Sequence, residues 1–118
     1  MREIKFKAWD KLNKEMFNVE SINFQERRVY KDDVSYRKFN DIDIMEYTGL
    51  KDKNNKEIYE GDILFESFGE EYFKVVFEDG SFRVETEEYS LPLKEYSHIC
   101  EIVGNIYENP ELINEYNN

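Results

Sequence analysis

Hydrophobic and polar residues alternate along much of this chain with the period of two that is typical of β-strands. At the N-terminus, Ile4, Phe6 and Ala8 are separated by charged residues, which predicts a half-buried strand. Residues 10–14 can close a turn, because Asp and Asn side chains bond readily to nearby backbone groups. Residues 16–24 resume the apolar pattern and predict the partner strand of an N-terminal β-hairpin.

The C-terminal half, from residue 58 to residue 107, predicts several short strands joined by tight turns. Asp79-Gly80 is its clearest hairpin signal, because Asp-Gly suits the primed turns that match twisted strands. Residues 89–96 contain a proline, which cannot donate to a ladder, so they are predicted to be a loop or an edge segment. Gly104 indicates a bulge in the last strand.

A short helix is predicted from Pro110 to about Tyr116. Asn109 is a favourable cap, proline suits the first helical position, and Glu111 faces the positive end of the helix dipole.

Residues 47–63 form a polar turn between two apolar segments. Gly49 and Gly61 are candidates for positive φ, and Asn54-Asn55 can also hold left-handed backbone. The turn faintly resembles a calcium loop, but Glu57 stands where that loop requires glycine, and Ile63 stands where it requires glutamate. Before this turn, the pattern of residues 41–47 leaves a strand and a short helical turn equally open.

Composition favours a β-rich globular domain. Nine Phe, nine Tyr and one Trp can supply a core even though 36% of the residues are charged. The single Cys100 and the lack of a membrane-length apolar run or signal peptide predict a cytoplasmic protein. His98 and Cys100 would share one face of a strand, yet one His and one Cys are too few to predict a catalytic pair or a zinc site. We therefore expect neither enzyme activity nor a metal or other cofactor.

The net charge of −11 is divided unevenly along the chain. Residues 1–56 carry 13 Lys/Arg against 11 Asp/Glu, residues 57–95 carry 3 against 12, and residues 96–118 carry none against 4. The acidic half is a poor candidate for nucleic-acid contact, since phosphate binding needs clustered cations. It could be a solubilising surface or, as one alternative, an acidic mimic of DNA that inhibits a host protein.

Basic and aromatic residues are interleaved in one segment only, and these form the candidate interaction surface: Arg27, Arg28, Tyr30, Lys31, Tyr36, Arg37 and Lys38. Such a cluster could stack on and grip single-stranded nucleic acid. The alternatives are a solvated strand–loop–strand, or a surface that meets the acidic half of another copy. Neighbouring carboxylates make nucleic acid the weaker alternative.

Three segments together resemble one known family, the YopX proteins of phages and prophages of Gram-positive bacteria. They are REIKFKAWD at residues 2–10, YTGLKDKNNKEIYEGDI at residues 47–63 and VGNIYENPEL at residues 103–112. Asn55 departs from the family pattern, which usually has glycine there. The resemblance implies one domain over residues 1–118, with an SH3-like β-barrel at about residues 47–107 and an N-terminal segment, residues 1–46, used for self-association. It carries over no catalytic or binding residues.

Taken together, the sequence predicts a mainly β, non-enzymatic phage or prophage accessory protein. The charge asymmetry favours a homo-oligomer in which unlike surfaces attract, and a host or phage protein is a possible further partner.

Overall fold

Twelve strands and one α-helix make up residues 3–114, the part of the chain that this computed structural model describes. The predicted mainly β fold is therefore confirmed. The chain divides into two compact units, Glu3–Glu46 and the residues from Tyr47 onward. No helix within residues 3–114 is long and apolar enough to cross a membrane.

The Glu3–Glu46 unit contains a hairpin and a small separate sheet. Its strands are β1 Phe6–Asp10, β2 Glu15–Asn18, β3 Ser21–Asn23, β4 Arg28–Tyr30, β5 Tyr36–Lys38 and the start of β6 Ile42–Lys51. Strand β1 lies between β2 and β6, and both of its neighbours are antiparallel to it. Strands β3, β4 and β5 form a three-stranded antiparallel sheet. Ala8, Val29 and Ile42 form the buried core of this unit.

The predicted N-terminal hairpin is present, with a difference in each strand. Residues 16–24 are not one strand, because β2 pairs with β1 whereas β3 pairs with β4. The alternation predicted for β1 also fails, since Ala8, Trp9 and Asp10 are all buried in succession. The end of β1 is therefore covered on both faces. Ile4, which the sequence placed in this strand, lies before its start and is 73% exposed.

Of the two structures that the sequence left open for residues 41–47, the strand is the one present. β6 begins at Ile42, directly after one 3₁₀ turn at Phe39–Asp41. β6 then pairs with β1 through its first residues and with β7 through Tyr47 and Lys51.

The second unit is built on a curled five-stranded antiparallel sheet in the order β11-β10-β9-β8-β12. The strands of this unit after β6 are β7 Glu57–Tyr59, which pairs with β6, and the five strands of the sheet: β8 Asp62–Glu66, β9 Glu71–Glu78, β10 Ser81–Glu85, β11 Ser90–Pro92 and β12 Cys100–Asn105. The core is a cluster of fully or nearly fully buried residues: Ile58, Leu64, Phe73, Val75, Val84, Leu93 and Cys100. This sheet is compatible with the SH3-like barrel, which stays a prediction.

Several turn predictions for this unit are confirmed. Asp79 and Gly80 both have positive φ, at +52° and +81°, as a type I′ turn requires. Gly49, Gly61 and Asn55 also have positive φ, so the asparagine does hold left-handed backbone in place of glycine. The edge prediction for residues 89–96 is confirmed as well, because β11 pairs only with β10 at one edge of the sheet.

The end of β12 and the C-terminal helix are held together by Asn109. The helix, α1, spans Glu111–Asn114, and the predicted end near Tyr116 lies outside the described residues. The side-chain oxygen of Asn109 accepts a hydrogen bond from Asn105 N at 3.2 Å, so it joins the helix start to β12. A Cβ at Gly104 would lie 2.5 Å from that oxygen, which explains the glycine beside the bulge.

Candidate interaction surfaces

The predicted basic and aromatic cluster falls on strands β4 and β5 and is divided by their pleat. Side chains two apart on a strand share a face, and the register pairs Arg28 with Lys38 and Tyr30 with Tyr36. These four residues therefore form one face of the hairpin, which we call the outer face. Val29, fully buried, lies on the opposite side.

Ring stacking organises the outer face. The Tyr30 and Tyr36 ring centroids are 5.6 Å apart, and the guanidinium carbon of Arg28 lies 4.2 Å from the centroid of the Tyr36 ring. Interaction with the Tyr30 side chain, the largest contribution, raises the pKa of Arg28 above its ordinary value. Arg28 also lies 3.7 Å from a carboxylate oxygen of Glu26. The guanidinium is therefore fixed in position over an aromatic surface.

Arg37 is separated from this face and acts within the fold. It lies opposite Val29 in the register, and its Nε donates a hydrogen bond to the buried carboxylate of Asp10. Its Nη1 donates to the carbonyl of Tyr36 at 2.9 Å. Asp10 is fully buried and also accepts hydrogen bonds from Leu12 N and from both the backbone and side chain of Asn13.

The pKa of Asp10 reflects two opposed effects. Burial alone would raise the pKa of this carboxyl, but hydrogen bonds from Arg37 and from the turn backbone outweigh burial and hold it well below its usual range. Asp10 therefore remains ionised at neutral pH. Its charge and that of Arg37 neutralise each other inside the unit.

Lys31 and Arg27, the last two residues of the predicted cluster, differ in whether a carboxylate pairs with them. Lys31 is engaged, because its Nζ lies 2.9 Å from a Glu15 carboxylate oxygen and 5.4 Å from the Phe17 ring centroid. Arg27 is exposed in the turn between β3 and β4, where its φ is +60°. No carboxylate within residues 3–114 pairs with Arg27 or Lys38.

An open groove of about 250 Å³ lies beside the outer face, and we call it the basic groove. It is lined by Glu26, Arg27, Arg28, Lys38, Phe39 and Asn40. Phe39 supplies its aromatic surface. The Phe24 ring, 76% exposed, meets the Phe39 ring edge to face at 6.1 Å.

The unit from Tyr47 onward presents carboxylates and one prominent aromatic side chain. Phe68 is 93% exposed in the turn between β8 and β9, residues 67–70, which we call the Phe68 turn. The nearly buried Glu66 carboxylate accepts hydrogen bonds from Phe68 N and Gly69 N, both at 2.7 Å. Phe68 was not among the residues predicted from the sequence to have a function. The available signal was an aromatic residue placed inside a polar turn.

A second open groove, of about 490 Å³, adjoins this turn and is strongly acidic. It is lined by Glu70, Glu71, Tyr72, Lys74, Glu85, Thr86, Glu87, Glu88, Tyr89 and Ile113. The Tyr89 hydroxyl donates to the Glu71 carboxylate at 2.7 Å, and this bond, aided by burial, raises the pKa of Tyr89 to about 12.

His98 and Cys100 do not share a strand face. Ser97–Ile99 form a 3₁₀ turn that exposes His98, whereas Cys100 begins β12 and is fully buried. Burial, followed by the nearby Glu66 charge, raises the pKa of the Cys100 thiol to about 11. The thiol is therefore protonated at neutral pH and is not a nucleophile.

Asp52 lies in the turn between β6 and β7, and its carboxylate accepts hydrogen bonds from backbone N–H groups. One oxygen accepts hydrogen bonds from Asn54 N and Lys56 N, and the other accepts one from Ile102 N, all at 2.9 Å. The carboxylate that suggested a calcium loop is thus occupied by the protein. Among the residues that the structure describes, no group of three or more His, Cys, Asp or Glu is placed to hold a metal ion.

Comparison with known proteins agrees with the resemblance seen in the sequence. The family model "YopX protein" matches residues 5–114. The structure of protein EF1440 from Enterococcus faecalis is similar to this chain, with 31% sequence identity, a TM-score of 0.77, and coverage of 96% of this chain and 99% of that one.

The structure of protein yopX from Bacillus subtilis shares the fold at 20% identity and a TM-score of 0.64, covering 96% of this chain and 97% of that one. No curated protein matches the chain at a significant level. Because the family model spans nearly the whole described chain, the chain belongs to the YopX family.

Proposed function

We propose that this chain is a phage- or prophage-encoded accessory protein that acts by binding proteins, without catalysis, and that associates with further copies of itself. The main support is the distribution of charge between the two structural units. Residues 3–46 carry 9 Lys/Arg against 10 Asp/Glu, whereas residues 47–114 carry 6 against 16. The exposed cations of the nearly neutral unit on one copy attract the strongly acidic unit of another copy, whereas two acidic units repel each other.

The outer face has the composition of a protein-binding surface. Tyr and Arg are enriched in the residues that contribute most to protein–protein affinity. Arg28 stacks on the Tyr36 ring and forms an ion pair with Glu26, so its side chain has little conformational freedom to lose on binding. Arg37 and Lys31 are already paired with carboxylates of the protein. Less positive charge is therefore available to bind a phosphate backbone.

Two features support a non-catalytic role. The single thiol is buried and protonated, so it cannot serve as a nucleophile. The buried carboxylates of Asp10 and Asp52 each accept several hydrogen bonds from the protein, which leaves them no role as a general base.

Light scattering coupled to size exclusion tests the self-association. At micromolar concentration and low salt we expect a mass of at least two chains. We expect a smaller average mass at high salt, because ions screen the attraction between exposed charges. A monomeric mass at both salt concentrations would contradict the proposal.

Single-stranded nucleic acid is a second candidate ligand, favoured by the stacking of Tyr30, Tyr36 and Arg28 on one exposed face. We expect little or no change in the anisotropy of a labelled oligothymidine at low salt, since the same face offers few unpaired cations. Tight binding that weakens steeply with salt and is lost in Tyr36→Ala would favour this candidate instead.

A further inference from the structure

We infer that the Phe68 turn of one copy inserts into the basic groove of a second copy. This inference rests on the self-association proposed above and names the two surfaces that make the contact. It concerns residues 67–70 on the acidic unit and the groove beside β4 and β5 on the other unit.

The Phe68 turn has the properties of a preorganised ligand. A phenylalanine ring that is 93% exposed leaves a large apolar surface in water. Glu66 holds the turn through two short hydrogen bonds to its backbone, so the ring is presented on a fixed support. A Cβ at Gly69 would lie 2.9 Å from a Glu66 oxygen, so the glycine leaves room for this carboxylate. Binding through such a turn loses little backbone entropy.

The basic groove offers a matching receptor. Its volume of about 250 Å³ accommodates one aromatic side chain, and Phe39 gives it an aromatic wall. The exposed Phe24 ring packs edge to face against Phe39 and supports that wall from outside the groove lining. Edge-to-face contact with an incoming ring is favourable beyond the area that it buries.

The charges around the two surfaces are opposite in sign and favour insertion of the Phe68 turn into the basic groove. The chain has no Lys or Arg between residues 57 and 73, and Glu70 and Glu71 follow Phe68 after a single glycine. The groove carries Arg27, Arg28 and Lys38 against a single carboxylate, that of Glu26. Carboxylates that flank the inserted ring would therefore meet cations at the rim of the groove.

Such a contact joins two different surfaces. A pair joined once retains one free turn and one free groove, which either meet each other in a two-fold dimer or accept further copies head to tail in a ring or an open chain.

Substitutions at two exposed positions, each with a matched control, test the contact. Phe68→Ser removes the ring that inserts into the groove. Its control, Phe77→Ser, removes a half-exposed ring elsewhere on the same unit. Lys38→Glu reverses one charge in the groove, and Lys11→Glu makes the same change at another exposed lysine of its unit. All four proteins and the wild type are compared by sedimentation velocity over a concentration series, with thermal melting to confirm folding.

We expect Phe68→Ser and Lys38→Glu to weaken association about 30-fold or more, as for residues at the centre of an interface, and the two controls to match the wild type. A wild-type chain that associates while Phe68→Ser associates equally well would overturn this contact and leave self-association standing. A monomeric wild-type chain would overturn both.

Discussion

Replacing Asp10 with alanine is expected to lower the free energy of unfolding by about 3 kcal/mol, the lower end of the usual cost of removing one partner from a buried ion pair, because the Arg37 side chain is 25% exposed. The substitution removes the carboxylate that accepts from Arg37 Nε, which leaves the guanidinium with Glu15 at 3.9 Å, and it removes the acceptor for Leu12 N and Asn13 N. Urea unfolding followed by the fluorescence of Trp9, the single tryptophan, reports this loss within the Glu3–Glu46 unit.

The exposed Asp33→Ala substitution in the same unit is the control and should change stability by less than about 0.5 kcal/mol. A loss at Asp10→Ala as small as the control's would show that the buried pair does not hold this unit together.

Acid should destabilise the protein partly through Asp10. The pKa of this carboxyl is lowered in the folded state from about 3.9 in the unfolded chain. The folded state therefore gains stability above that pH and loses it as the pH falls toward the folded pKa. Asp10→Asn cannot titrate, so its unfolding free energy should fall less steeply below about pH 4 than that of the wild type.

Replacing Asp52 with alanine is expected to cost about 3 kcal/mol, because its carboxylate accepts three backbone hydrogen bonds and each such bond to a charged group contributes roughly 1.5–3 kcal/mol without full additivity. Two of the bonds close the β6–β7 turn, and the third reaches Ile102 on β12. Urea unfolding followed by far-ultraviolet circular dichroism measures the total loss.

Hydrogen exchange measures the loss of the bond to Ile102 separately from the loss of the two bonds in the turn. The Ile102 amide should exchange faster in Asp52→Ala, because it loses its acceptor. Glu95→Ala, at an exposed position of the same unit, is the control. Unchanged protection at Ile102 would mean that Asp52 does not connect the turn to β12.

Local backbone chemistry explains what the sequence could predict. Asp79-Gly80 and Asn55 adopt positive φ because few other residue types tolerate it, so each signal is contained in one or two residues. Charge is likewise read directly from composition. The acidic surface of the second unit could therefore be expected before its fold was known.

Contacts between distant residues explain what the sequence could not predict. Asp10 and Arg37 are 27 positions apart, so nothing local shows that one predicted surface cation is part of the fold. Strands β3, β4 and β5 have three residues each, which is too short to give a measurable period. The outer face and the basic groove both depend on the pairing of these strands, so only the structure shows them.

The most direct test of head-to-tail association mixes two variants that each keep one half of the contact. Phe68→Ser retains the basic groove, and the double variant Arg27→Glu/Lys38→Glu retains the Phe68 turn. By sedimentation velocity, each variant alone should be monomeric, and the equimolar mixture should form a dimer and no larger species. A mixture that stays monomeric at concentrations where the wild-type chain associates would contradict the contact between these two surfaces.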